Sequence, residues 1–124
     1  MNARRLRQLD YVGHMIDAIR LVHGYVEGTS REEFFADRKT QQAVILNILV
    51  LGEAATQLGN AYPEWAEQHS EVPWRSMRGM RNRLAHGYFE INLEVVWDTI
   101  KMSLPELEEK LAKVLHETPY REDL

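Results

Sequence analysis

The run Ala43-Val44-Ile45-Leu46-Asn47-Ile48-Leu49-Val50-Leu51-Gly52-Glu53-Ala54-Ala55 is apolar on nearly every side of a helix. Val44, Ile48, Leu51, Ala55 and Leu58 follow alternating four- and three-residue steps, which predicts a helix from about Lys39 to about Leu58. Ile45, Leu46, Leu49 and Val50 fall outside that stripe. A helix apolar on several faces must be covered by several neighbours, and a second copy of the chain is a candidate among them. The longest apolar run, Ala43 to Gly52, is broken by Asn47, so it reads as a buried helix and not as a membrane span. Glu53 has two readings in this setting. It can snorkel or cap a neighbouring element, or it can pair with an arginine elsewhere in the chain.

Working outward, the same periodicity recurs on both sides. Leu6, Leu9, Val12, Ile16, Ile19, Val22 and Val26 predict a first helix from about Arg4 to about Val26. Ser30-Arg31-Glu32-Glu33 has the form of a capping box, and Asp37 is placed to cap a second start. Between Gly59 and Pro73 the chain is polar and aromatic, which reads as a short helix or turn followed by a loop. Pro73 fits the first turn of a helix that carries Trp74, Met77 and Leu84. That helix is expected to end near His86-Gly87, with Gly87 as a left-handed stop. Asn92 is a good cap for a last helix reaching about His116. Ser103-Leu104-Pro105-Glu106 looks like a restart with its own capping box, so a kink is expected at Pro105. No segment keeps a period of two, and no hairpin signal occurs. The expectation is an all-α protein, an up-and-down bundle of four to five main helices with a kinked C-terminal helix. One domain is expected over residues 1–116, with a frayed polar tail over 117–124.

Composition narrows the function classes. The chain has 124 residues, and 44% of them are apolar, enough to fill one real core. It has no cysteine, which removes disulfides and thiolate metal sites and fits a cytoplasmic location. No signal peptide is read at the basic N-terminus. The formal charge of −4 argues against a protein that coats nucleic acid, but not against a local basic groove.

One segment departs from that acidic background. Arg75, Arg78, Arg81 and Arg83 precede His86, and no Asp or Glu lies between Val72 and Phe89. Arg81, His86 and Tyr88 bring a fixed cation, an imidazole and a phenol within eight residues. On one ideal helix Arg81 and His86 would sit about 140° apart. The spacing alone therefore does not make a site. Convergence needs the helix to end at Gly87, or a second subunit. If the groups converge, the chemistry they suit is metal-free RNA cleavage. An imidazole exchanges protons with the ribose 2′-hydroxyl and the 5′-oxygen. A guanidinium holds the scissile phosphate. A tyrosine orients the phosphate or stacks on a base.

Arg81, four residues, His86, Gly87 and Tyr88 resemble the Arg-x4–6-His-x-Tyr motif of the HEPN superfamily, in its HepT-like branch. The resemblance extends over most of the chain. It includes Asp10 to Arg20, Glu33-Phe34-Phe35-Ala36-Asp37, Gly52-Glu53-Ala54, Val72-Pro73-Trp74, Met80-Arg81-Asn82, Val96-Trp97 and Leu104-Pro105-Glu106-Leu107. It implies a HEPN-like helical fold, a homodimer, and a ribonuclease toxin of a type VII toxin–antitoxin pair. The implied partner is a minimal nucleotidyltransferase antitoxin, and the implied substrate is single-stranded RNA or tRNA, with no cofactor and no membrane. Carried over by position, Arg81 and His86 are catalytic, with two copies of the motif meeting at the dimer cleft. Tyr88 matches the tyrosine that the antitoxin modifies with AMP, which would silence the site by charge and bulk. Asn82, Arg78 and Arg83 are expected to support the site or contact RNA. Asn82, four residues before His86, is placed to orient the ring if the helix persists that far.

Plainer readings stand beside these. His86 can be a dipole-compatible helix end. Arg75 and Arg78 can be a solvated helix face. Trp74, Trp97 and Phe89 can be packing residues. His14, His23, His69 and His116 lack ligand-like spacing and read as structural or surface residues, with no metal expected. The competing functions are a non-catalytic helical dimer modified by a nucleotidyltransferase, and a nucleotide-binding helical domain without turnover.

Overall fold

A computed structural model describes residues 7–117, and of Tyr88 the backbone only. The expected helix start at Arg4 to Leu6 and the tail over 118–124 lie outside the described residues. In chain order the elements are α1 (Gln8–Val26), α2 (Arg31–Ala36), α3 (Arg38–Ala61), α4 (Pro63–Gln68) and α5 (Trp74–His86). A 3-10 turn (Tyr88–Glu90) follows, then α6 (Leu93–Asp98), a π-helical turn (Thr99–Ser103) and α7 (Leu104–Glu117). The described residues form no strand, and the all-α expectation holds.

The helix α3 packs against both α1 and α5, and α1 also packs against α7. Its apolar positions are buried as the periodicity requires, with Val44 and Leu58 fully covered. Asn47 is buried too, and its side-chain amide donates to the Ala43 carbonyl at 3.0 Å, so the polar group is satisfied within its own helix. By length and composition α3 could cross a bilayer, but half of its most apolar window is buried inside the protein. Leu46 and Val50 remain exposed, so one side of α3 is uncovered in the single chain.

Helix starts follow local chemistry. The Ser30 hydroxyl accepts from the Glu33 amide at 3.1 Å, and the Glu33 carboxylate accepts from the Ser30 amide at 2.9 Å. Asp37 caps α3 by accepting from the Thr40 amide and hydroxyl, at 3.2 and 2.6 Å. Those bonds hold its carboxyl below the ordinary value of 3.8. Asn92 caps α6 by accepting from Glu94 and Val95. The structure extends α3 beyond Leu58 to Ala61, where Pro63 ends it and opens α4.

Two expectations change in detail. Pro73 is the cap itself, not a first-turn residue: its carbonyl accepts from the Met77 amide at 3.1 Å and Trp74 begins the helix. Gly87 is not left-handed, with φ −113°. The left-handed glycine is Gly28, φ +74°, which turns the chain after α1. Gly87 is favoured for a different reason, since a Cβ there would lie 3.0 Å from the Arg83 carbonyl oxygen, a tight contact. That carbonyl already accepts from the Gly87 amide at 2.8 Å, closing α5.

The C-terminal irregularity also differs. The chain does not restart from a Ser103 cap; it widens into a π turn one turn earlier, and Leu104 keeps right-handed helical angles. In the π register the Leu104 amide donates to the Thr99 carbonyl. The next donor, for the Ile100 carbonyl, would be the amide of residue 105, and Pro105 has none. His23 of α1 fills the gap, with Nε2–H donating to the Ile100 oxygen at 3.4 Å. Its Nδ1 lies 3.8 Å from Glu108, which also receives Arg20 at 2.9 Å. The discontinuity is thus tied to α1 rather than left as a free bend.

Candidate active site

The helix α5 carries every motif residue up to His86 and is fixed at both ends. At its start the Trp74 indole N–H donates to the carbonyls of Ala66 and His69, at 3.0 and 3.1 Å. Trp65 stacks on the His69 ring with centroids 4.0 Å apart, so the aromatic loop forms a compact brace. Met77 and Leu84 bury the inner face against the core.

Arg81 sits at the edge of that inner face, with its side chain 26% exposed. It lies where α3 and α5 approach closely. A Cβ on Gly52 would collide with the Arg81 Cβ and come within 3.0 Å of the Met77 carbonyl oxygen. Glycine is therefore required at position 52 by close approach, not by an unusual backbone angle. The Arg81 guanidinium then turns along α3. Nη2 donates to the Thr56 hydroxyl oxygen at 3.2 Å, and Nη1 lies 3.6 Å from the Glu53 carboxylate. Of the two readings of Glu53, the pairing with an arginine is the one observed. A concavity beside Arg81 is bordered by Tyr11, His14, Leu49, Val50 and Glu53.

His86 ends α5 on the other side. It is exposed and lines a separate groove with Arg83, Gly87, Glu90, Ile91 and Asn92. Arg81 and His86 thus border different concavities within one chain, as the helical angle between them requires. The helix does persist through His86, which puts Asn82 one turn earlier on the same face. No hydrogen bond joins Asn82 to His86 among the described residues. Arg75, Arg78, Asn82 and Arg83 are exposed, and the three arginines form no ion pair among the described residues. Arg83 only approaches the Met80 sulfur, at 3.9 Å. The outer arc of α5 is therefore an unneutralised cationic surface leading to His86. The Tyr88 backbone lies in the 3-10 turn that follows directly.

Two residues near the site escaped the sequence reading. Thr56 gave no signal beyond its spacing, four after Gly52 and three after Glu53 on one face of α3. Glu90 lies four after His86, but the break at Gly87 makes helical spacing a poor guide to its groove. Of the remaining histidines, His69 is structural, its Nδ1–H donating to the Trp65 carbonyl at 2.8 Å, and His14 is exposed.

The chain is similar to known proteins over most of its length. A family profile described as "Ribonuclease HepT-like" matches residues 15–114. The chain is 36% identical over 105 residues to a "Probable ribonuclease HepT" of Thermococcus cleftensis, covering 85% of this chain and 93% of that protein. It is 34% identical over 105 residues to a "Putative RNase" of Caldanaerobacter subterraneus subsp. tengcongensis, covering 85% of this chain and 91% of the relative. No solved structure matches the chain.

Proposed function

The chain belongs to the HepT-like ribonuclease family, and from that premise we propose that it is an endoribonuclease that cuts single-stranded RNA without a metal. The observation that carries the reading is the placement of His86. Its ring is exposed at the end of a cationic helix face, with no hydrogen-bond or ion-pair partner among the described residues. Such an imidazole is open to a substrate hydroxyl as a general base.

In this scheme Arg81 holds the scissile phosphate through charge-assisted hydrogen bonds. His86 takes the proton from the ribose 2′-hydroxyl. The 2′-oxygen then forms a bond to phosphorus as the bond to the 5′-oxygen breaks. The leaving 5′-oxygen takes a proton from solvent water, and the imidazolium returns its proton to the hydroxide so formed. The products are a 2′,3′-cyclic phosphate and a free 5′-hydroxyl. Arg81 and His86 border different concavities in one chain, so the site is assembled by a homodimer. The uncovered Leu46 and Val50 on α3, beside the Arg81 concavity, supply apolar surface for that pairing.

Control of the site is part of the same proposal. A minimal nucleotidyltransferase partner would transfer AMP from ATP to the Tyr88 hydroxyl, releasing pyrophosphate. Tyr88 follows His86 by two residues, so the added phosphate would stand where RNA phosphate must bind and repel it. The chain would then be the toxin of a toxin–antitoxin pair. Arg78, Arg83 and Asn82 would steer or contact RNA.

The test is cleavage of single-stranded RNA by purified protein in the presence of a chelator, with analysis of the ends. Cyclic phosphate ends are expected, and His86→Ala is expected to lower the rate by about a hundredfold or more while keeping its helical content. Equal cleavage by the two proteins would remove His86 from the chemistry.

A further inference from the structure

The contacts of Arg81 carry an inference that rests on its proposed role. We propose that Thr56 and Glu53 are positioning residues that fix the direction of the Arg81 guanidinium, with Thr56 the stronger of the two.

The restraint starts at the Thr56 hydroxyl. It donates its single proton to the Gly52 carbonyl, one turn back on α3, at 2.8 Å. With that proton committed, the oxygen can only accept, and it accepts from Arg81 Nη2 at 3.2 Å. A hydroxyl free to rotate would hold a cation less well. Here the helix backbone presets it. The same glycine that admits the Arg81 Cβ also supplies the carbonyl that orients its acceptor. Glu53 adds a second, looser restraint. Its carboxylate lies 3.6 Å from Nη1, and its other oxygen accepts from the Gln57 side-chain amide at 2.8 Å. Glu53 is half exposed, so its charge is screened and its hold is the weaker one.

Between them these groups engage one N–H on Nη2 and face Nη1, and each terminal nitrogen carries two N–H groups. Donors remain on both for a phosphate. The Arg81 Nε is buried and has no hydrogen-bond partner. An orphaned N–H of this kind is costly, which means the surrounding contacts impose the side-chain path rather than merely permit it. A guanidinium that must meet a phosphate in one geometry gains from such a restraint, because a small misplacement of a charge-stabilising group lowers the rate steeply.

The test combines one readout that needs no activity with one that does. Arginine Nε–H signals of the full chain are followed by NMR, with Arg81→Lys identifying the Arg81 signal. Wild type should show a solvent-protected Arg81 Nε–H. Thr56→Val, which keeps the shape and removes the acceptor, should raise its exchange by about tenfold or more. Thr56→Ser should retain protection, and Glu53→Gln should fall between. In RNA cleavage Thr56→Val should lower kcat by about tenfold with KM nearly unchanged. Thr56→Ser should restore it, and Thr56→Val should add nothing in an Arg81→Lys background. Unchanged Nε–H exchange in Thr56→Val would overturn the proposal. So would lost protection with unaltered kcat in a wild type that cleaves. A wild type that cuts no RNA would remove the proposed function instead, and the exchange data alone would then decide the anchoring.

Discussion

Arg81 and His86 lie on one helix, five residues apart, in opposite circumstances. Arg81 is pressed against α3, paired with Glu53 and Thr56, and accommodated there by a glycine opposite its Cβ. His86 is exposed and makes no hydrogen bond or ion pair among the described residues. The contrast teaches how the labour is divided. The fold of one chain sets where the cation points. In the proposed scheme the imidazole is left for a substrate or a second chain to position.

Substitutions at these two ends should separate the effects. Arg81→Ala and His86→Ala are both expected to lower RNA cleavage by about a hundredfold or more. Only Arg81→Ala should also shift the urea midpoint, because it removes side chain packed between α3 and α5. His86→Ala should leave the midpoint unchanged. Equal stability effects would erase the distinction.

The glycines of the two regions sharpen it further. Gly52→Ala forces apart two packed helices and should cost about 2 kcal/mol by urea denaturation, with cleavage falling as Arg81 is displaced. Gly79→Ala, on the outer face of the same α5, meets only the flexible end of Arg83 at 3.6 Å. It should instead stabilise by about 0.5–1 kcal/mol through helix propensity. A smaller effect is expected far from both. His23→Leu leaves the Ile100 carbonyl without its donor and should cost about 1 kcal/mol, with no change in cleavage.

How much of this was legible beforehand follows from the range of the interactions. The caps at Ser30, Asp37 and Asn92 depend on atoms within three residues, and residue type and spacing were enough to place them. The central position of α3 was legible because its apolar residues fill several faces. The motif was legible as a pattern, and its helical angle already showed that Arg81 and His86 diverge. The π turn was not. Pro105 announces a lost hydrogen bond, but whether the chain breaks or widens depends on His23, 77 residues away from Ile100. Gly87 misled for a related reason, since a glycine can answer a close contact as well as a left-handed angle. Thr56 was invisible because an ordinary threonine in a helix acquires its role only from the arginine that packs beside it.

The central claim is that Arg81 of one chain works with His86 of another. Mixing refolded Arg81→Ala and His86→Ala chains tests it most directly. Each variant alone should be inactive. Random pairing makes half of the dimers mixed, and each mixed dimer regains one intact pairing, so cleavage should recover to about a quarter of the wild-type rate. No recovery, with mixed dimers shown to form, would contradict a site shared between chains.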